Sequence, residues 1–454
     1  MNFNKYDIAV IGLGPGGFTA AVRAAQLGAK VAVIEKSFTG GTCLNCGCIP
    51  TKFLWQSLKT KQKIQKSYEY GFKAVLEPVI FSDIIAKKDK NIANIRKGME
   101  MVLASHKLDV ISGSALFKDK NTLTVLNNER GTVSEDVIYE VLADKIIIAS
   151  GTKPSIIKGS AFDGSKVISS TEVLNLKEIP KNMLIIGGGA IGVEMATIFS
   201  GFGCQVTLSE YENCLLPNED EEISEEIRKN LLRHGVNVLT SCADALDDID
   251  KYEKVLIVTG RTPNNDLGLD NIGIKMAKKG FIETNEFCQT NIENIYAVGD
   301  IAGKNLLAYT AQNEGALTAE NVVRGNFIAV DNFIVPQAVF AMPQSASVKV
   351  LDFSKYQDVV FGKFPFTASG RAFIENERAG FVKCAVDKTT KKPLAFWIVG
   401  AHSDELINTA SQILKSGMEY ISRETMFHPS FSESLLNAYE YALGKCTELV
   451  KNKD

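Results

Sequence analysis

The sequence predicts an α/β protein: two Rossmann-like dinucleotide-binding folds in one chain, then a C-terminal α+β domain. Three observations carry this. A glycine fingerprint, Gly12-x-Gly14-x-x-Gly17, stands between an apolar run and an Ala-rich helical stretch. The same fingerprint returns at Gly187, Gly189 and Gly192. Beyond about residue 328 the pattern becomes alternating strands and amphipathic helices with no such fingerprint. At 454 residues the chain exceeds one ordinary core, and roughly 150 residues per domain suggests about three.

The first fold opens with "YDIAVIGLGPGGFTAAVRAAQLGAKVAVIEK". Glycines here let the backbone turn tightly and approach a pyrophosphate at a helix N-terminus, and Glu35, closing the second strand, can accept from a ribose diol. The repeat, "NMLIIGGGAIGVEMATIFSGFGCQVTLSE", ends at Glu210. Glu35 lies 23 residues after Gly12, and Glu210 lies 23 residues after Gly187. Equal spacing indicates two copies of one device, hence two dinucleotides. Glu210 would repel a 2′-phosphate, and "SEYENC" offers no Arg to reverse that, so the second cofactor is expected to be NAD. "KIIIASGTKP", with Gly151, and "KVLIVTGRTPN", with Gly260, read as buried strands with glycine turns that cross between the folds. "ENIYAVGDIAG" adds a strand ending in Gly299-Asp300, placed to return beside the first fold.

In the tail, "GFVKCAVDKTTKKPLAFWIVGA" reads as an antiparallel hairpin, with helices at "DELINTASQILKSG" and "FSESLLNAYEYAL". The tail's expected work is association. Composition is that of a globular chain, 45% hydrophobic and 23% charged with net charge −3. Neither nucleic acid nor a membrane is expected as partner. No secretory signal opens the chain and no run reaches the roughly 18 apolar residues of a membrane span, so a cytoplasmic location is expected.

Of nine cysteines, three crowd into "GGTCLNCGCIPTK". Clustered thiols in a reducing compartment point to metal or redox chemistry. Three thiolates fall short of a closed four-ligand zinc site, and no second C-x-x-C or H-x-x-x-H pair occurs, so no metal is expected. Gly40-Gly41 permits a sharp turn, Thr42 can cap, and Cys43 in the first helical turn would have its pKa lowered by the helix dipole. In a regular helix Cys43 and Cys48 stand about 7.5 Å apart in rise, against a Cα limit near 6.8 Å for a disulfide. They bridge only across a deformed turn, for which Gly47 and Pro50 supply the means. Cys46, three positions from Cys43, is the nearer partner in an undistorted turn.

Together "GGTCLNCGCIPTK", "GLGPGG", "GGGAIGVE", "GRTPN", "YAVGD", "KFPFTASGRA", "GAHSDELI" and "HPSFSE" resemble the flavoprotein pyridine nucleotide-disulfide oxidoreductases, most nearly their dihydrolipoamide-oxidising members. The resemblance covers nearly the whole chain. It implies FAD in the first fold and a redox disulfide between Cys43, the interchange thiol, and Cys48, stacked on the flavin. Lys52 would lie near the flavin N5, paired with Glu194. His428 would be the acid/base, oriented by Glu433 and supplied across a homodimer. From the residues alone, a carboxylate beside an imidazole suits thiol deprotonation, yet Ser430-x-x-Glu433 is equally a capping box. His402, His106 and His234 are assigned no chemistry.

The implied division is 1–149 for FAD, 150–268 for NAD, 269–327 returning to the FAD domain, and 328–454 for the interface. The implied reaction is FAD-dependent oxidation of protein-bound dihydrolipoamide with reduction of NAD. Its partner would be a lipoyl domain of a 2-oxoacid dehydrogenase or glycine-cleavage complex. Alternatives are an NAD(P)H-dependent reductase of another disulfide, or a slow thiol sensor using Cys46. The chain departs from the family pattern at Cys46, usually apolar, at Tyr309 and "TMFHP", usually histidines, and at Gln344, usually glutamate. Between about 239 and 254 it is too short for the usual strand meander.

Overall fold

In a computed structural model of the chain we describe residues 3–129, 132–330, 334–350, 352–416 and 425–450. The first sheet starts from β1 (Phe3–Ile11), whose apolar side chains alternate between two cores. Ile8 and Val10 pack against α1 (Pro15–Gln26), while Ala9 and Ile11 face the opposite core. A strand buried on both faces is typical of parallel sheets. β1 pairs in parallel with β2 (Val31–Glu35), and β2 with β3 (Asp109–Ser112). Two helices of the cysteine segment, α2 (Gly41–Cys46) and α3 (Cys48–Gln65), and α4 (Phe81–Ser105) connect β2 to β3. Strands β4 (Ser114–Phe117), β5 (Thr122–Glu129) and β6 (Thr132–Ile148) form a meander, and β6 then runs parallel to β1.

The second fold repeats this logic after β7 (Thr152–Pro154) and β8 (Val167–Ile168). β9 (Asn182–Ile186), α5 (Ala190–Gly201), β10 (Gln205–Ser209), α6 (Glu221–Arg233), β11 (Asn237–Leu239) and β12 (Lys254–Ile257) follow. They build an all-parallel sheet in the order β11-β10-β9-β12-β8. Residues 240–253 hold one 3₁₀ turn, Ile249–Lys251, and no strand. β13 (Arg261–Pro263) pairs antiparallel with β7, so the two crossovers bind each other. β14 (Ile295–Ala297) then joins β6 in parallel, and α7 (Ala308–Arg324) lies against α1. The contact is backbone-close: a Cβ on Gly315 would fall 2.2 Å from the Gly16 carbonyl oxygen.

β15 (Gln337–Val339), β16 (Ser345–Lys349), β17 (Val359–Pro365), β18 (Phe381–Asp387) and β19 (Pro393–Val399) form an antiparallel sheet, order β15-β16-β19-β18-β17. The short α8 (Gly370–Ile374) lies between β17 and β18. Along β18, Val382, Cys384 and Val386 face a core shared with α9 (Ser403–Ser416) and α10 (Glu433–Ala442). Phe381 and Ala385 face the core of the second nucleotide fold. The fold class is thus the expected one. Among the described residues no helix is long and apolar enough to cross a membrane.

The two glycine loops are copies in atomic detail. A Cβ at Gly12 (φ +100°) would meet the Ala149 oxygen at 2.5 Å, and one at Gly187 (φ +117°) the Val258 oxygen at 2.7 Å. At Gly17 it would meet the Gly12 oxygen at 1.9 Å, and at Gly192 the Gly187 oxygen at 1.8 Å. Within the two loops, Gly14 and Gly189 are the glycines with open space within 4 Å. The outer glycines serve packing, and the middle one faces open space. Gly192→Ala is therefore expected to destabilise the protein by about 1–3 kcal/mol, read as a lower denaturation midpoint. Gly189→Ala should leave that midpoint within about 0.5 kcal/mol.

Candidate redox site

The cysteine segment does not form one regular helix. α2 ends at Gly47 (φ −145°, ψ −111°), and α3 begins at Cys48. A Cβ at Gly47 would lie 2.9 Å from the Thr42 oxygen and 3.4 Å from Cys43 Cα, so only glycine lets the second helix fold back this closely. The fold-back joins the thiols of Cys43 and Cys48 by a hydrogen bond. Cys46 instead faces the hydroxyls of Thr42 and Thr171. Cys43 and Cys46 share the unbroken turn of α2; the break at Gly47 comes after both and is what brings Cys48 back to Cys43. Thr42 does not cap: α2 starts from Gly40 (φ +95°), with no side-chain cap.

Charge settles differently from the helix-dipole expectation. Burial and the proton it shares with Cys48 hold the Cys43 thiol well above the ordinary range. Cys48 is the acidic member, brought down to about 7 by the hydrogen bond from Cys43 and by the Lys52 ammonium, against burial and the Glu194 charge. α2 is six residues long and uncapped, so its dipole is weak beside a hydrogen bond and a nearby cation. Burial pushes Cys46 up. Lys52 Nζ donates to Glu194 Oε1 and Oε2 at 2.8 and 3.0 Å and lies 4.4 Å from the Phe340 ring centroid.

These groups line a cavity of about 1150 Å³ together with Gly12, Gly14, Glu35, Gly151 and Asp300. That volume exceeds the roughly 300–1,000 Å³ of ordinary small-ligand pockets. With the open face at Gly14, it fits an extended dinucleotide. Glu35 accepts from the amides of Leu13 and Ser37, both at 2.7 Å. Asp300 accepts from Thr152 Oγ1 at 2.8 Å, and burial raises its carboxyl despite Arg261 3.9 Å away. Arg261 itself donates to Thr152 Oγ1 and the Thr152 carbonyl, at 2.6 and 2.8 Å.

Gly187, Gly189, Gly192, Glu210 and Gly260 lie off this cavity's lining; of the second fold, the start of α5 reaches it and delivers Glu194. Glu210 accepts from the amides of Gly188 and Glu212, as Glu35 does in the first fold. The second loop thus repeats the first in its carboxylate contacts and in the open face at its middle glycine, Gly189. His428 and Glu433 are also absent from the cavity wall. His428 Nδ1 pairs with Glu433 Oε1 at 2.8 Å, while Glu433 Oε2 accepts from the Ser430 amide at 2.7 Å. The Ser430 hydroxyl does not cap α10, whose N-cap is Ser432. The His428 side chain is 78% exposed on the single chain.

His402 pairs with Glu375 at 2.7 Å and packs on Phe431. Tyr309 donates to the Pro336 carbonyl, and burial pushes its hydroxyl up to about 12. Arg96, Thr152 and Arg261 also line the cavity and are not among the residues the sequence points to. Arg261 adjoins Gly260 in "GRTPN" and was readable there; Thr152 and Arg96 carry no local signal. Among the described residues no group of three or more metal-ligating side chains occurs.

A glycine cradle, a thiol pair and a buried Lys–Glu pair on one cavity define a flavoprotein disulfide oxidoreductase, and comparison agrees. Residues 6–315 match the pyridine nucleotide-disulphide oxidoreductase family and residues 335–439 its dimerisation domain. The chain belongs to this enzyme family; its cofactors are FAD and NAD(H), and the dimerisation domain makes it a homodimer. It is 36% identical to dihydrolipoyl dehydrogenase of Geobacillus stearothermophilus over 461 residues, 96% of each chain. It is 35% identical to that of Thermus scotoductus, covering 96% of this chain and 97% of the relative. A solved structure, the Cu(II) complex of the HOCl-induced flavoprotein disulfide reductase RclA from Escherichia coli, superposes with a TM-score of 0.84 at 28% identity, covering 96% and 99%.

The Cys48 assignment has a pH signature. In the reduced protein the first thiol should ionise with a midpoint near pH 7, followed by its ultraviolet thiolate absorbance, with thiolate present above that pH. Lys52→Met should move the midpoint upward by about one unit or more, and Cys48→Ser should remove it.

Proposed function

We propose that this protein oxidises protein-bound dihydrolipoamide to lipoamide and reduces NAD to NADH, using the Cys43–Cys48 disulfide. The observation that carries the reading is the hydrogen-bonded Cys43–Cys48 pair beside Lys52–Glu194 on the wall that also presents Gly14, Glu35 and Asp300. Full-length similarity to dihydrolipoyl dehydrogenases supports the substrate. The partner would be a lipoyl domain of a 2-oxoacid dehydrogenase or glycine-cleavage complex. We assign the work to FAD (1–149), NAD (150–268), a returning segment (269–327) and interface (328–454). Gly12, Gly14, Gly17, Glu35, Gly151 and Asp300 would hold FAD. Gly187, Gly189, Gly192, Glu210 and Gly260 would serve NAD.

His428 of the partner subunit would take the substrate thiol's proton on Nε2, because its Nδ1–H donates to Glu433. The resulting thiolate attacks Cys43 Sγ, and the Cys43–Cys48 bond breaks toward Cys48. The direction follows from acidity, since the thiol of lower pKa is the better leaving group. Lys52 stabilises the Cys48 thiolate. The second substrate thiol then attacks the substrate sulfur of the mixed disulfide as its proton passes to the departing Cys43 sulfur, closing lipoamide and leaving one proton on Cys43 and one on the partner's His428. The dithiol has lost two electrons, and the cysteine pair has gained them. Bound FAD supplies the relay of that electron pair from sulfur to nicotinamide.

A second reading, reduction of another disulfide, is favoured by the likeness to RclA. Steady-state rates with dihydrolipoamide and NAD, and with glutathione and coenzyme A disulfides and either reduced nicotinamide, test it. The proposal expects dihydrolipoamide to lead by at least tenfold in kcat/KM; a glutathione lead would overturn it. His428→Gln should lower dithiol turnover by roughly 10²–10⁴-fold and spare NADH-to-quinone transfer. Glu210→Ala should raise KM for NAD without loss of flavin.

A further inference from the structure

Arg96 comes from the middle of α4, 51 residues from Asn45 in the chain, and lines the same cavity. Its Nε and Nη2 both donate to Asn45 Oδ1, at 3.1 and 2.5 Å, and its guanidinium lies 4.3 Å from the Phe38 ring centroid. Asn45 in turn donates from Nδ2 to the carbonyls of Thr39 and Gly41, at 3.1 and 2.8 Å. With the amide spent on the loop and its oxygen on Arg96, the side chain is fixed in orientation. Gly41 abuts the first glycine loop, since a Cβ there would fall 2.7 Å from Gly14 Cα, and Gly40 donates to the Leu13 carbonyl at 2.8 Å. A continuous chain of contacts thus runs from α4 through Arg96 and Asn45 to the turn that starts α2, the helix carrying Cys43 and Cys46.

We infer that Arg96 is a positioning residue for the redox disulfide, holding α2 in register through Asn45 so that Cys43 meets Cys48. The inference rests on the Cys43–Cys48 reading above. α2 is a six-residue helix without a side-chain cap, and so short a helix gains little from its own hydrogen bonds. Its placement therefore depends on external ties, among them the fork of Arg96 on one oxygen, 51 residues away in the chain. Lysine cannot reproduce two N–H donors in fixed geometry on one acceptor.

The test uses Arg96→Met, Arg96→Lys, Asn45→Ala and the Arg96→Met/Asn45→Ala double variant of the FAD-loaded enzyme. Three quantities are read: flavin content, the long-wavelength thiolate-to-flavin absorbance at two-electron reduction, and kcat for dithiol against NADH-to-quinone transfer. Expected are full flavin content, a band weakened severalfold and dithiol kcat lower by roughly tenfold or more. NADH-to-quinone transfer should stay within twofold. Arg96→Lys should behave like Arg96→Met, and the double variant should fall no further than the worse single one, because both act on one tie. Loss of flavin in step with kcat, rescue by lysine, or effects that add would each overturn the inference. If wild-type enzyme itself lacks the band, the failure lies with the cysteine reading and not with Arg96.

Discussion

The carboxylate of Glu194 is where three parts of the chain meet. It is carried by α5 of the second nucleotide fold, accepts from Lys52 on α3 of the first, and accepts from the Phe340 amide of the C-terminal region at 3.0 Å. Glu194 is 5% exposed, so its charge is tolerable only because both oxygens are occupied. Removing one member of such a pair strands the other, which typically costs about 3–5 kcal/mol, discounted here because a third of Lys52 still faces solvent. The pair fixes how the second fold seats on the first, and with it the start of α5 on the cavity wall.

The broken turn at Gly47 acts on the same cavity from the other side. It trades helix continuity for thiol contact, and the trade is forced by the closeness of Gly47 to the Thr42 carbonyl. Once Cys48 becomes the first residue of α3, Lys52 follows one turn later on the same helix face. Cys46, at the end of α2, is left facing Thr42 and Thr171 and outside the pair. One backbone break thereby brings Cys48 to Cys43, places Lys52 beside it and sets the third thiol aside.

Much of this was legible because the glycine loops are local devices. Their spacing reports backbone needs that any reader of the chain can count, and Glu35 and Glu210 fall at matching distances for the same reason. The cysteine pairing was not local. A regular turn favours Cys46, and only the resemblance to a family pointed to Cys48, because the deviation depends on a close approach that spacing does not encode. The expected acidity of Cys43 failed likewise: sequence shows a helix start, whereas the hydrogen bond with Cys48 and the ammonium of Lys52 decide which sulfur ionises. Arg96 sits in a basic amphipathic helix where nothing distinguishes it from its solvated neighbours until α4 is laid beside α2.

Lys52 and Glu194 pull the Cys48 thiol in opposite directions, and that opposition suits exchange chemistry. Lys52 alone would drive the pKa lower, making Cys48 an easy leaving group but a poor nucleophile, because nucleophilicity falls with basicity. Glu194 returns part of the shift, leaving a thiol near pH 7 that, in the proposed reaction, can both leave and return as the disulfide opens and closes. The same carboxylate that seats one fold on another therefore tunes the sulfur, so assembly of the fold and adjustment of the chemistry are one interaction.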